Sequence, residues 1–221
     1  MRSALLVGAS GLIGSRLLTR LLAHPEYDRV TIWVRRAVSL EIHKFTQVVV
    51  DFERLQDYAA DLRVDDVYVA LGTTIKKAGS QEAFRRVDHD YPIEIARIAL
   101  RRGAQRFLLV SALGADTRSR VFYNRVKGDT ETEIRALGLP KVWFFRPSIL
   151  TGERTESRPA ERFGIALGRV IAPFLIGGLR RYRPIAGDAV AAAMISAATR
   201  DVQPGVVESE EIARLASLSR Y

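Results

Sequence analysis

Gly8-Ala9-Ser10-Gly11-Leu12-Ile13-Gly14 follows the apolar run Ala4-Leu5-Leu6-Val7 and opens into Ser15-Arg16-Leu17-Leu18-Thr19-Arg20-Leu21-Leu22. An apolar run, three glycines spaced three apart and then leucines at helical spacing predict a strand, a tight turn and a helix N-terminus in one place. The first turn of a helix leaves N–H groups without partners, and the positive end of the helix dipole lies there, so the turn attracts phosphate. Gly8 and Gly11 are expected to shape the turn, and Gly14 to let the helix lie close on its strand. Gly-rich turns also occur as plain connections, but a nucleotide fingerprint requires a strand before and a helix after, and both are present. Gly8, Ser10, Gly11, Leu12, Ile13 and Gly14 are therefore candidate dinucleotide-binding residues.

Beyond this turn, short β-branched runs alternate with amphipathic stretches, the pattern of a parallel sheet with helices on both faces. Val30 to Val34 reads as the second strand, and Arg35-Arg36 stands at its end, roughly 20 residues past the glycine turn, where a dinucleotide domain meets the adenosine ribose. An acid there would hold the ribose hydroxyls of NAD(H); two arginines favour the 2′-phosphate of NADP(H), which a guanidinium grips in bidentate fashion. A solvated Arg pair at a strand end is the alternative. Thr46 to Val50 reads as strand three, and Asp51-Phe52 at its edge can flank the adenine, although Phe52 also suits a core. A short helix is expected from Leu55 to Leu62, and a fourth strand from Asp66 to Leu71, after which Leu71-Gly72-Thr73-Thr74 crosses the cofactor's path. Ser80 can cap the next helix, whose pattern breaks near Asp90-Tyr91-Pro92 and resumes to a stop at Gly103. Arg106 to Val110 is strand five, with Ser111 at its C-terminal end, where open α/β sheets bind ligands.

Tyr123 and Lys127 lie four apart in a helix expected from Ser119 to Leu137, which puts both on one face. A phenol with an ordinary pKa near ~10 exchanges protons poorly at neutral pH, and an adjacent ammonium favours its phenolate. Tyr123 can then give a proton to a carbonyl oxygen as hydride arrives, or take one from an alcohol. Lys127 would also reach the nicotinamide ribose, and Ser111 would bond the same substrate oxygen. A Tyr four residues before a Lys also arises by chance; the order of glycine turn, Ser111 and then this pair is what gives it weight.

Composition sets bounds. A length of 221 residues suits one domain spanning 1–221, and a hydrophobic share of 48% supplies a core. The lack of cysteine excludes disulfides and thiolate sites, and His24, His43 and His89 show no ligand spacing, so no metal is expected. The net charge of +9 is spread along the chain as arginine rather than gathered into a basic tail or groove, which argues against a nucleic-acid binder. Arg180, Arg181 and Arg183 form a better candidate for an anionic ligand. The apolar stretch Phe163 to Leu179 is interrupted by Arg169, Pro173 and Gly177-Gly178, so no membrane span is expected. The first strand begins almost at Met1, leaving no room for a signal peptide, and a soluble, cytoplasmic protein is the expectation.

The glycine turn, Ser111 and the Tyr123–Lys127 pair together resemble the short-chain dehydrogenase/reductase superfamily, of its extended or atypical sort. Asp51-Phe52, Leu71-Gly72-Thr73-Thr74, Lys77-Ala78-Gly79, Arg86-Val87-Asp88 with Asp90-Tyr91, Gly114-Ala115-Asp116, Arg146-Pro147 and Glu156-Ser157-Arg158-Pro159 resemble, more narrowly, the Tat-interacting protein family of NADPH-binding reductases. The resemblance implies a Rossmann-like, doubly wound α/β fold with a Ser111, Tyr123 and Lys127 triad and a small C-terminal substrate lobe, about 150–187. Pro147-Ser148-Ile149, after a strand from Val142 to Arg146, matches the segment that superfamily members pack against the nicotinamide, so Pro147 and Ile149 join the cofactor set. The superfamily's active-site Asn has no clear counterpart; Asp88 stands near its position.

In the C-terminal region, Glu161 to Ile171 suits a helix, Pro173 to Leu179 a hydrophobic loop, Arg183-Pro184-Ile185 a short extended piece, and Gly187 to Thr199 a helix over the sheet. Ile171, Phe174, Leu175 and Ile176 suit a core cluster or a homodimer contact. The leading function is an NADP(H)-dependent oxidoreductase acting on a small carbonyl or alcohol. An NADPH-binding redox sensor without turnover, and an NAD(P)-dependent epimerase or dehydratase, are the alternatives.

Overall fold

The computed structural model describes residues 1–39, 42–60, 62–151, 182–200 and 202–219. Seven strands form one parallel sheet: β1 (Arg2–Val7), β2 (Tyr27–Val34), β3 (Phe45–Val49), β4 (Asp66–Val69), β5 (Arg106–Val110), β6 (Val142–Arg146) and, beyond a separate pair, β9 (Gly205–Glu208). Their order is β3-β2-β1-β4-β5-β6-β9. The separate pair is β7 (Leu150–Thr151) with β8 (Ile185–Ala186), also parallel. The helices are α1 (Leu12–Ala23), α2 (Ile75–Ala78), α3 (Gln81–Arg85), α4 (Tyr91–Arg101), α5 (Phe122–Ala136), α6 (Gly187–Thr199) and α7 (Ser209–Ser217).

A strand's alternation sorts the core onto two faces. Ala4, Leu6, Ile32, Leu108 and Phe145 join Ile13, Leu17 and Leu21 of α1, Val190 and Met194 of α6, and Ile212 and Leu215 of α7. Their neighbours Leu5, Val7, Trp33, Leu109 and Phe144 join Ile93, Ala96 and Ile98 of α4 and Ile134 of α5 on the other face. This is the Rossmann-like doubly wound architecture expected from the alternating sequence. The chain leaves β1 toward β2 on one side and returns to β4 on the other, so a crevice opens where the order reverses, above the carboxyl ends of β1 and β4.

Several boundaries differ from those read in the sequence. The expected helix at 55–62 is a 3-10 turn, Phe52–Tyr58, started when the Asp51 carboxylate accepts the Glu53 N–H at 3.0 Å and broken by non-helical backbone at Arg54. The α5 helix starts at Phe122 rather than Ser119. Asp116 and Ser119 hold a turn instead, through Arg118 N–H to Asp116 Oδ1 at 2.8 Å and Val121 N–H to Ser119 Oγ at 3.2 Å. The break expected at Asp90-Tyr91-Pro92 is not a break: α3 runs through a π-helical turn, Arg86–Asp90, into α4. Pro92 has no N–H to offer the Asp88 carbonyl four residues back, so the helix widens there, and Thr130 Oγ1 bonds that carbonyl at 3.1 Å instead. The strand β9 and helix α7 extend the sheet and one face beyond the elements read from the sequence. Residues 152–181, which include Glu156 to Pro159, the expected helix and loop of the substrate lobe, the dimer candidates and Arg180-Arg181, lie outside the described residues.

Candidate cofactor and active site

The glycine turn is held from behind and bare in front. Gly8 has φ +96°, and a Cβ there would lie 2.5 Å from the Ala70 carbonyl oxygen. A Cβ on Gly14 would lie 2.0 Å from the Gly8 carbonyl oxygen, so α1 rests directly on the turn. Gly11 has ordinary backbone angles, and a Cβ there would approach the protein no nearer than 3.3 Å. That contact is with the Gly8 backbone carbonyl, so the bareness of Gly11 serves the tight turn as well as the cleft that it lines. No side chain caps the N-terminus of α1, and its first turn carries no acid. That turn lines a cleft of about 490 Å³ together with Ser10, Gly11, Leu12 and Ile13. An uncapped helix N-terminus beside a bare glycine is the donor set and the space that a pyrophosphate needs, so a dinucleotide fits these residues.

The opposite wall comes from the ends of β4 and β5 and from α5. Leu71, Gly72, Thr73, Thr74, Ser111, Tyr123 and Lys127 all line the same cleft. Tyr123 packs its ring on Phe84, 5.5 Å between centroids, which fixes its direction. Lys127 is 4% exposed and bonds Asp88 Oδ1 at 2.7 Å, with Asp88 itself 1% exposed. Asp88 Oδ2 accepts the Thr73 N–H at 2.9 Å, so the π-helical turn ties the β4 loop to α5 across the cleft floor. Burial works against the Lys127 ammonium, but the charge of Asp88, with Tyr123 and Glu131 nearby, outweighs it and holds the Lys127 pKa above its ordinary value. Lys127 thus has a buried anionic partner, Asp88, that the Tyr123–Lys127 spacing alone does not show.

Ser111 is buried at the end of β5, and its hydroxyl donates to Glu131 Oε1 at 2.5 Å. Arg146 clamps the same carboxylate, Nε to Oε1 at 2.9 Å and Nη2 to Oε2 at 2.6 Å, and reaches Glu208 at 3.2 Å. The bond to Glu131 outweighs burial and raises the Arg146 pKa. The sequence expects Ser111 to bond a substrate oxygen; in this structure its hydroxyl is engaged with Glu131.

Eleven of the residues singled out in the sequence therefore share one cleft: Ser10, Gly11, Leu12, Ile13, Leu71, Gly72, Thr73, Thr74, Ser111, Tyr123 and Lys127. Gly8 and Gly14 shape it without lining it. Arg35 and Arg36 are exposed at the end of β2, next to β1 in the sheet. Asp51 is exposed and caps the 3-10 turn, while Phe52 packs on Tyr91 at 5.2 Å. Pro147 is buried, and its carbonyl accepts the Leu113 N–H at 3.1 Å; Ile149 is 61% exposed beside Leu150, which lines the cleft. Ser15 and Lys77 also line the cleft and were not assigned to it from the sequence; Asp88, which the sequence places near the superfamily's active-site Asn, lines it too. Glu131 was missed as well, although it lies four residues past Lys127 and so continues the Tyr123–Lys127 face. Among the described residues there is no cluster able to hold a metal ion, and no helix long and apolar enough to cross a membrane.

A family profile described as NAD(P)H-binding matches residues 8–165. HTATIP2 of Rattus norvegicus is 39% identical over 164 residues, covering 72% of this chain and 67% of that protein. Fmp52 of Emericella nidulans is 34% identical over 216 residues, 93% of this chain and 92% of its own, and Fmp52 of Eremothecium gossypii is 32% identical over 217 residues, 96% of each. Both fungal proteins are named mitochondrial. That overturns the expectation of a cytoplasmic protein, which rested on finding no address near Met1; a compartment is not set by a signal that sequence reading fails to find. Among solved structures, WbmH of Bordetella bronchiseptica in complex with NAD+ superposes with a TM-score of 0.71 at 16% identity, covering 94% of this chain and 75% of that one. The ADP-L-glycero-D-manno-heptose-6-epimerase of Helicobacter pylori gives 0.69 at 15%, covering 98% and 82%. At such identities the likeness is one of fold. The glycine turn, the cleft and the relatives agree, and the chain belongs to the NAD(P)H-binding family of atypical short-chain dehydrogenase/reductase proteins that includes HTATIP2 and Fmp52.

Proposed function

We propose that this protein is an NADP(H)-dependent oxidoreductase that interconverts a small carbonyl compound and its alcohol. The observation that carries the reading is that Tyr123 and Lys127, one helical turn apart on α5, line the same cleft as the uncapped N-terminus of α1. The bound nicotinamide would supply hydride to the substrate carbon, or accept it. Tyr123 gives its phenolic proton to the carbonyl oxygen in reduction and takes the hydroxyl proton in oxidation. Lys127, kept cationic by Asp88, holds the ribose hydroxyls and stands beside Tyr123. Gly11, Leu12 and Ile13 hold the pyrophosphate through their backbone, while Gly8 and Gly14 keep that backbone in place. Leu71 to Thr74, Pro147 and Ile149 flank the nicotinamide half; Asp51 and Phe52 flank the adenine.

The preference for NADP(H) over NAD(H) rests on Arg35 and Arg36, two exposed guanidinium groups at the strand end where the ribose is expected. The test is NADPH consumption over a panel of aldehydes and ketones, with Tyr123→Phe alongside. Turnover that falls at least ~100-fold in Tyr123→Phe supports the assignment, in line with the usual worth of a positioned proton donor. Tight NADPH binding without turnover of any panel member would overturn the oxidoreductase reading, and undiminished turnover in Tyr123→Phe would overturn the role of Tyr123.

A further inference from the structure

A serine hydroxyl has one proton and two lone pairs, so the partner that takes the proton decides what the serine offers to everything else. At Ser111 that partner is a carboxylate. Glu131 Oε1 lies 2.5 Å from Ser111 Oγ, and both Glu131 oxygens also accept from Arg146. With Arg146 donating to both of its oxygens, the Glu131 side chain is the acceptor in the bond from Ser111. Ser111 is 4% exposed and Glu131 2%, so the bond between them is largely sheltered from bulk solvent. Ser111 nevertheless belongs to the cleft wall together with Tyr123 and Lys127.

We propose that Glu131 is a positioning residue that takes the only proton of Ser111, so that Ser111 meets the ligand in the cleft as a hydrogen-bond acceptor and not as a donor. This rests on the oxidoreductase reading for its consequence, though not for the bond itself. A carbonyl oxygen has lone pairs and no proton, so beside Ser111 Oγ it gains nothing from the serine and relies on Tyr123 alone. An alcohol O–H can donate to Ser111 while its oxygen faces Tyr123. The site is therefore built to recognise the hydroxyl-bearing partner of the reaction pair. Turning the Ser111 proton into the cleft would give up a charge-assisted bond to a carboxylate that Arg146 holds in place.

Neutron diffraction from deuterium-exchanged crystals of the unaltered protein reads the bond directly. Deuterium on Ser111 Oγ directed at Glu131 Oε1 is the expected result; deuterium directed into the cleft would overturn the proposal. With a substrate from the carbonyl panel, Ser111→Ala should lower kcat less than ~10-fold, against the ~100- to 1000-fold that loss of a donor to a developing oxyanion brings. Glu131→Gln and Ser111→Ala should not multiply: the double variant should match the poorer single one. Effects that multiply would show Glu131 acting independently of Ser111 and would refute its positioning role. A panel without turnover refutes the oxidoreductase reading instead, and the neutron map still decides the polarity of Ser111.

Discussion

Asp88→Asn removes one charge from the buried pair on the floor of the cleft while keeping the size of the side chain. Asp88 and Lys127 are 1% and 4% exposed and 2.7 Å apart, so the ammonium left behind has almost no access to water. Breaking a buried pair from one side costs about 3–5 kcal/mol. The low end applies here, because the Asn carbonyl can still accept the Thr73 N–H and Glu131 still lies near Lys127. A loss of about 3 kcal/mol, at a urea dependence of about 2 kcal/mol per molar, lowers the unfolding midpoint by roughly 1.5 M. The pH dependence follows from Lys127, whose folded pKa lies above the ordinary 10.5. In the natural protein the pair's stabilisation is fully present below 10.5 and is lost as pH rises through the higher folded value. In Asp88→Asn the dominant influence left is burial, which pulls the Lys127 pKa down. The deficit is then full at neutral pH and narrows as pH approaches 10.5, because the folded variant sheds the proton first. Urea unfolding at several pH values between 7 and 10 measures both. A loss under about 1 kcal/mol, or a gap that stays constant or widens with pH, would show that the Asp88–Lys127 pair does not carry this stability.

Gly14→Ala places a methyl group 2.0 Å from the Gly8 carbonyl oxygen, so α1 must move away from the turn; NADPH affinity should fall at least ~10-fold by fluorescence titration, and retained affinity would contradict the role given to the turn. Thr130→Val leaves the Asp88 carbonyl without its side-chain donor in a fully buried place, and thermal or urea unfolding should show a loss of about 1–3 kcal/mol. Arg35→Ala should weaken NADPH about 10-fold or more while leaving NADH unchanged, since a guanidinium–phosphate contact contributes about 1.5–3 kcal/mol. Equal losses for both cofactors would remove the basis for the NADP(H) preference.

The parts of the molecule governed by local rules were readable from the sequence. Strands β5 and β6 and helix α6 have the bounds expected, because each is an uninterrupted apolar run or an Ala-rich stretch closed by clear stops. The glycine turn was readable because both Gly8 and Gly14 are required by contacts within a few residues, apart from Ala70. The π-helical turn was not, since it depends on Thr130 bonding the carbonyl that Pro92 leaves without a donor, 42 residues away in sequence. The partners of Ser111 and Lys127 were hidden for the same reason: Glu131 and Asp88 are ordinary solvated acids until α5 and the π-helical turn close on the sheet. Strand β9 has only four residues and half-exposed positions, too short for alternation to declare itself.

A crystal structure with NADPH bound tests the cofactor cleft most directly. The expected result is the pyrophosphate on the backbone of Gly11, Leu12 and Ile13, the 2′-phosphate against Arg35 or Arg36, and the nicotinamide C4 facing the space between Tyr123 and Ser111, with Lys127 on the ribose. A nicotinamide directed out of the cleft, away from Tyr123 and Lys127, would contradict it.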